Sequence, residues 1–583
     1  MKSVWIFICL FFIFLSSLLF AAPEWTVLVY MAADNTLFNA ASDDINEMES
    51  VNYSDSVKII VQVDPKDEQS SHFNFSTARR YLITYDENPN SIGSILLNDL
   101  GEINSANPDE ISDFANWGFS TYPSKKRMLI LWDHGNGWRK DDEGTKYVCS
   151  DTQAGSNISV ANGELNQAIS NINYHLNILA FDACLMQMPE VIGEVYEYCD
   201  FVIGSEEEVP EDGLYYGDSI YPQCGIFNFL AENPTCSPID FSSKIVEQYI
   251  NSYLLGYQIG GNISMSAINT SYFNEFQNGL ANFTKNFSDT LYNDIYCEIF
   301  TNIDSDYIFN SSIDIYQFFS ELKNYEEFQE PSNEMLSAID SMIVHSIAVY
   351  NNEIVSDIGR MSIYFPQSSI RFFSNWLDRG YYQLSFVQVT RWDRFLNFYL
   401  DDDNQAPFIT NFSIISQKNL VQFLWHAIDP SFIKYTIQYN PGHDSLYIPI
   451  HDSTYIYSQN YITTLPSGTY NFILTAIDEF ENKSCVWKTA IISDESVFKF
   501  FPNPYLVSNA EAGKFIFSTV NSGKAEIFIY NFGGELVQKL ECSCEKYSTC
   551  LIEFVEVNIA SGIYFCLLKT GSRTDVLKLA IIR

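Results

Sequence analysis

A chain of 583 residues, 46% hydrophobic and only 18% charged, holds enough apolar material for several cored domains and is unlike a disordered protein. Its 73 acidic residues against 32 basic ones leave a net charge of -41, a field that repels phosphate backbones and anionic lipid heads and attracts cations. Nucleic acid is thereby disfavoured as a partner, although the same charge also serves as a generic solubility device.

The chain opens with Met1-Lys2-Ser3, an apolar run over 4–20 and Ala21-Ala22-Pro23. A basic start, an apolar centre and small residues at the exit read as a secretory signal over residues 1–22, cleaved near Ala21 or Ala22. Left uncleaved, the run is almost long enough to anchor in a bilayer. Every later apolar run is short or broken by charge, so no membrane span is expected after signal removal.

Residues 25–33 (WTVLVYMAA), 57–63 (VKIIVQV), 127–132 (RMLILW), 177–181 (NILAF) and 201–205 are nearly continuous apolar runs, as expected of strands buried on both faces. Helical patterns over 35–48, 108–119, 162–172 and 189–198 lie between them. The alternation predicts an α/β domain over 23–400 in which helices cover both faces of a mainly parallel sheet. Ligands bind such sheets beyond the carboxyl ends of the strands.

The composition turns polar at Asp401-Asp402-Asp403-Asn404-Gln405. Short strands rich in aromatic and β-branched residues then predict an all-β sandwich of immunoglobulin or fibronectin-III kind over 405–495, with Trp425 in an early strand. A second all-β segment covers 496–583, from Phe501-Pro502-Asn503-Pro504 to the closing run 577–583.

Two strand ends carry chemistry. The run RMLILW ends in Asp133-His134-Gly135-Asn136-Gly137-Trp138, and NILAF ends in Asp182-Ala183-Cys184. If both strands are parallel, an imidazole and a thiol emerge at one edge of one sheet. A thiol with its reference pKa of about 8.5 needs such a neighbour to become a thiolate nucleophile. The glycines flanking Asn136 let backbone approach a substrate, so the amides of Gly135 and Cys184 are candidate oxyanion donors. Singly, each residue has a bland reading: a cysteine after an apolar strand is commonly a small buried hydrophobe. His175 precedes its strand and belongs at the opposite edge. Of twelve cysteines, eleven follow the signal, an odd number that implies a free thiol. Pairing of Cys224 with Cys236, or among Cys542, Cys544 and Cys550, stays open, and no spacing reads as a zinc site.

The segment Trp25 to Asn35, the helix containing Asp44-Ile45-Asn46-Glu47-Met48-Glu49, LILWDHGNGW around His134, FDACLM around Cys184, Gly204-Ser205-Glu206-Glu207, Ser362-Ile363-Tyr364-Phe365-Pro366 and Trp392-Asp393 together resemble the clostripain family of cysteine peptidases. The resemblance implies a caspase-like fold, a His134–Cys184 dyad without an obligatory third member, and cleavage after arginine or lysine in protein or peptide substrates. Asp182, two residues before the nucleophile, and Asp212 match the acids of the family's specificity pocket, where charge-assisted bonds reward a guanidinium. The bland readings are a turn cap for Asp182 and a solvated loop for Asp212. Leu214-Tyr215-Tyr216 stands where relatives often carry tryptophan, so the order of arginine and lysine stays open.

Self-cleavage between the catalytic strands is also implied, and among Arg139, Lys140 and Lys146 the expected site is Lys146–Tyr147. Calcium dependence is known in the family, but no EF-hand spacing names ligands, so any metal site is unknown; the chemistry itself requires no cofactor. The tail from Phe501 resembles the sorting domains of type IX secretion, which implies the export machinery as a partner and a secreted or cell-surface location on a bacterium. The competing reading is a non-catalytic surface adhesin that keeps a peptidase scaffold.

Overall fold

The computed structural model describes residues 22–582, apart from 67–74, 140–147, 289–291, 304–307, 310, 356–357, 367–371, 373, 401–405 and further short stretches within 418–572. The signal-like segment up to Ala21 and the expected self-cleavage site at Lys146 lie outside the described residues. The chain divides into two compact units at the Asp403–Asn404 junction.

The first unit is built on a ten-stranded sheet. Its centre is β1 (Trp25–Ala33), all nine residues of which are buried. Beside it on one side runs β2 (Val57–Pro65), and on the other, in order, β5 (Lys126–Trp132), β6 (Leu176–Asp182) and β7 (Cys199–Gly204), all parallel. Antiparallel strands finish both margins: β3 (Ala78–Leu82) and β4 (Ile95–Gly101) beyond β2, and β8 (Ile263–Asn269), β9 (Ile343–Tyr350) and β10 (Glu353–Val355) beyond β7. The expected α/β architecture with a parallel centre is what the chain adopts.

Odd-numbered residues of β1, among them Trp25, Val27 and Val29, bury one face against α1 (Phe38–Glu49), α5 (Ile226–Glu232) and α6 (Pro238–Leu254). The other face meets α2 (Pro108–Thr121), where Phe114 lies 6.0 Å from the Tyr30 ring and Gly118 leaves room for Leu28. Asn107 caps α2 by accepting the Asp109 N–H, and Pro108 occupies the first turn, where its missing donor costs nothing. Two shorter helices, α3 (Glu164–Ser170) and α4 (Pro189–Val195), fill the connections around β6.

The strand order reverses between β1 and β5, which opens a crevice at their carboxyl ends. One predicted boundary moves: α1 starts at Phe38 rather than at residue 35. Asn35 is spent on the turn, its amide donating to the carbonyl of Ala32 and to Asp133 while its oxygen accepts the Leu37 N–H.

The second unit is all-β, as predicted. Its first part has a three-stranded and a four-stranded antiparallel sheet around Phe412, Val421, Phe423, Trp425, Ile437 and Phe472. Its second part has a three-stranded and a five-stranded sheet around Phe515, Ile527, Cys566 and Leu579, antiparallel except where Tyr505–Leu506 pairs with the last strand. Cys550 is disulfide-bonded, whereas Cys224 and Cys236 remain thiols.

Candidate active site

Register fixes the two strand ends at one level. In the β5–β6 ladder Trp132 stands opposite Asp182, and the Asp133 N–H donates to the Asp182 carbonyl at 3.2 Å. His134 and Cys184 therefore leave the sheet side by side, and both line a cavity of about 230 Å³ together with Leu37, Trp132, Asp133, Asp182, Val209, Pro210, Glu211 and Gly213. The two turns are in direct backbone contact: a Cβ on Gly135 would stand 2.1 Å from the Cys184 carbonyl oxygen and 2.7 Å from its nitrogen. Only glycine permits that approach. Gly137 (φ 63°) and Leu185 (φ 61°) complete the turns in left-handed conformation, which for a leucine is strained.

The sulfur of Cys184 accepts the Val209 N–H at 3.3 Å and lies 3.6 Å from the Val209 carbonyl. Burial raises its pKa above the ordinary thiol value; hydrogen bonds from the backbone of Val209 and Gly135 oppose that, and the charges of Glu208 and Asp182 add to it. In this arrangement the sulfur is a thiol at neutral pH and needs a base. The imidazole Nε2 of His134 lies 2.9 Å from the Thr36 hydroxyl.

Asp182 is buried at the floor of the cavity. Its carboxylate accepts the Leu214 N–H at 3.1 Å and the Tyr216 hydroxyl at 2.8 Å. Burial lifts its pKa to about 6 against the pull of those two donors. Two further acids come from α1, Asp44 accepting the Trp132 indole N–H at 2.6 Å and Glu47 accepting the Tyr216 N–H at 2.9 Å. Burial raises both well above the carboxylate range; the charges of Glu47 and Asp182 add to the rise of Asp44, those of Asp212 and Asp182 to the rise of Glu47. Asp182 lines the cavity, Asp44 and Glu47 add negative charge from α1, and none of the three has a cation of the protein among its described contacts.

Asp212 does not line this cavity. It is exposed, its carboxylate accepts the Ile259 N–H at 2.8 Å, and its carbonyl accepts the Gln258 amide; the neighbouring Glu211 lines the cavity instead. His175 lies at the amino end of β6, 2.8 Å from Asp200, as anticipated for the opposite edge. Thr36, Asp44, Glu47 and Tyr216 carried no assigned role in the sequence. The available signal was a pair of carboxylates at i, i+3 on the core-facing side of the helix after a buried strand.

Among the described residues no group of three or more His, Cys, Asp or Glu side chains is disposed to hold a metal ion. A larger cleft of about 1100 Å³ lined by residues such as Glu275, Asn282 and Glu334 contains none of the predicted residues. No helix among the described residues is long and apolar enough to cross a membrane.

The pattern of the clostripain family matches residues 29–399. Clostripain of Hathewaya histolytica is 31% identical over 194 residues, 30% of this chain and 35% of that protein, so the chain spans about a third of the length of this curated relative. Among solved structures, a secreted C11 cysteine protease from Bacteroides thetaiotaomicron bound to an irreversible peptide inhibitor is similar at 20% identity and a TM-score of 0.45, covering 62% of this chain and 99% of its own. An inactive zymogen C11 protease from Parabacteroides distasonis gives 19% identity and a TM-score of 0.46 with the same coverage.

Proposed function

Because this chain belongs to the clostripain family, we propose that it is a secreted cysteine endopeptidase that hydrolyses peptide bonds after arginine or lysine with His134 and Cys184. The convergence of imidazole, thiol and buried carboxylate on one cavity carries this reading. His134 takes the thiol proton as the sulfur attacks the scissile carbonyl, and the backbone amides at Gly135 and Cys184 receive the developing oxyanion. The same imidazole returns the proton to the leaving amine; water then attacks the thioester, releasing the acid and restoring the thiol.

Asp182 receives the basic side chain. A guanidinium or ammonium entering the cavity supplies the positive charge that Asp182 lacks and favours its ionised form, and the charges of Asp44 and Glu47 add to the attraction. Asp212 joins them only after a shift of the loop carrying Val209 and Gly213, since its carboxylate now serves the Ile259 N–H.

The reading extends to activation and export. Arg139 is buried beside the rings of Trp138 and Tyr364, at 5.6 and 5.9 Å, which disfavours a cut there, and self-cleavage is assigned to Lys146–Tyr147. An intact mass in fully active enzyme would remove that step. The leader directs export and the tail over 496–583 addresses the chain to a type IX machinery; retention of a tail-deleted enzyme inside the cell is the expected result.

The deciding experiment is hydrolysis of fluorogenic arginyl and lysyl peptides by wild type and Cys184→Ala, with and without calcium. Equal rates in the two proteins would leave the adhesin reading, and loss of activity in chelator would establish a role for the metal.

A further inference from the structure

The turn between β1 and α1 places a hydroxyl against the imidazole. Thr36 Oγ1 lies 2.9 Å from His134 Nε2. The turn is fastened on both sides of Thr36: Asn35 donates to Asp133 at 2.7 Å and to the Ala32 carbonyl at 2.8 Å, and its oxygen holds the Leu37 N–H at 2.9 Å. Asp133 in turn accepts the Ser150 N–H, and Leu37 lines the same cavity as the sulfur. Thr36 is itself exposed, so nothing in the core requires a threonine there, and its position is set by neighbours on either side.

We propose that Thr36 is the positioning residue of the catalytic pair: its hydroxyl oxygen accepts the Nε2–H of His134, fixing the ring plane and the tautomer in which Nδ1 carries the lone pair. The inference rests on the peptidase reading above and adds a member that the family resemblance does not require. An acceptor on Nε2 serves both states of the ring. In neutral imidazole it selects Nδ1 as the base, and in imidazolium it holds the proton that must not be lost to water. It needs no carboxylate, which suits a site already crowded with negative groups: Asp133, Asp182 and Glu211 line the cavity with the pair, and Glu208 acts on the thiol.

The test compares full-length wild type, Thr36→Val, Thr36→Ser and Cys184→Ala by three readouts: kcat and KM on arginyl and lysyl peptides, the pH dependence of Cys184 alkylation by iodoacetamide followed by peptide mass, and the melting temperature. Thr36→Val should lower kcat roughly ten- to a hundredfold with KM held. It should also move the onset of Cys184 alkylation to higher pH, because an imidazole without its acceptor is a weaker base and leaves the sulfur protonated further up the scale. Thr36→Ser should recover most of the rate. Unchanged kcat and an unchanged alkylation profile in Thr36→Val, at a wild-type melting temperature, would overturn the proposal, as would a serine variant no better than valine. Should valine disturb folding, Thr36→Ala takes its place. If wild type cleaves neither peptide, the peptidase reading fails, and the alkylation profile still decides on Thr36: a shift sustains it and no shift removes it.

Discussion

The two edges of the central sheet handle charge in opposite ways. At the amino edge two acids have cations or polar donors in reach of water: Glu24 meets Lys125 at 2.5 Å and Lys126 at 3.5 Å, and Asp200 meets His175 and Asn177, each at 2.8 Å. At the carboxyl edge Asp44, Glu47 and Asp182 are held by neutral donors, and burial raises all three. The same strands make both edges, so the difference is imposed by the loops and by α1. Unpaired buried acid costs stability and persists where a ligand supplies the missing charge.

The sharpest way to break this contrast is at the closest approach. Gly135→Ala drives a methyl into the Cys184 backbone, which cannot move aside as a side-chain tip would. We expect a loss of about 1–3 kcal/mol in stability and of roughly a hundredfold or more in kcat/KM, read by chemical denaturation and the peptide assay; wild-type activity would show that the two turns part in solution.

Asp182→Asn separates the function of the carboxyl edge from its cost. On arginyl peptides kcat/KM should fall roughly 10- to 100-fold, and the wild-type value should decline as pH drops through about 6, where Asp182 takes up its proton. Stability should move the other way. Burial raises the folded pKa from the ordinary 3.8 to about 6, so the contribution of Asp182 to stability is full below the lower value and lost as pH rises through the higher one. The asparagine variant, which carries no charge, should therefore be more stable than wild type at pH 8, by on the order of 1–3 kcal/mol, and hold no such advantage near pH 4. Thermal melts at the two pH values check the sign.

The smallest effect belongs to the amino edge. His175→Ala removes an exposed partner of Asp200 and should cost under about 0.5 kcal/mol, with peptide hydrolysis unchanged. A large loss of activity there would mean that the two edges are coupled.

What could be read from residues alone follows the same division. Continuous apolar runs announced the parallel strands, and a glycine-rich turn after one and a cysteine after the next announced the candidate pair, because both signals are local. The antiparallel margins are not legible in the sequence: β4 is mostly exposed and β9 only half buried, so neither shows a two-sided burial pattern. The roles of Asp44 and Glu47 are not legible in the sequence, since spacing gives the face of a helix but not the atom that a side chain on it reaches. Asp212 was placed by kinship, yet its direction is set by Ile259, far along the chain, which no local pattern reports.

The ladder between β5 and β6 has a consequence for a chain cut within 140–147. His134 and Cys184 would then belong to separate polypeptides, still zipped together from the Met128–Ile178 pair to the Trp132–Asp182 pair in the middle of the sheet. Such an enzyme would run as one particle on a sizing column and as two bands in denaturant. Its renaturation would become a bimolecular event, so the yield of recovered activity should rise with protein concentration for the nicked form and stay flat for the uncut one.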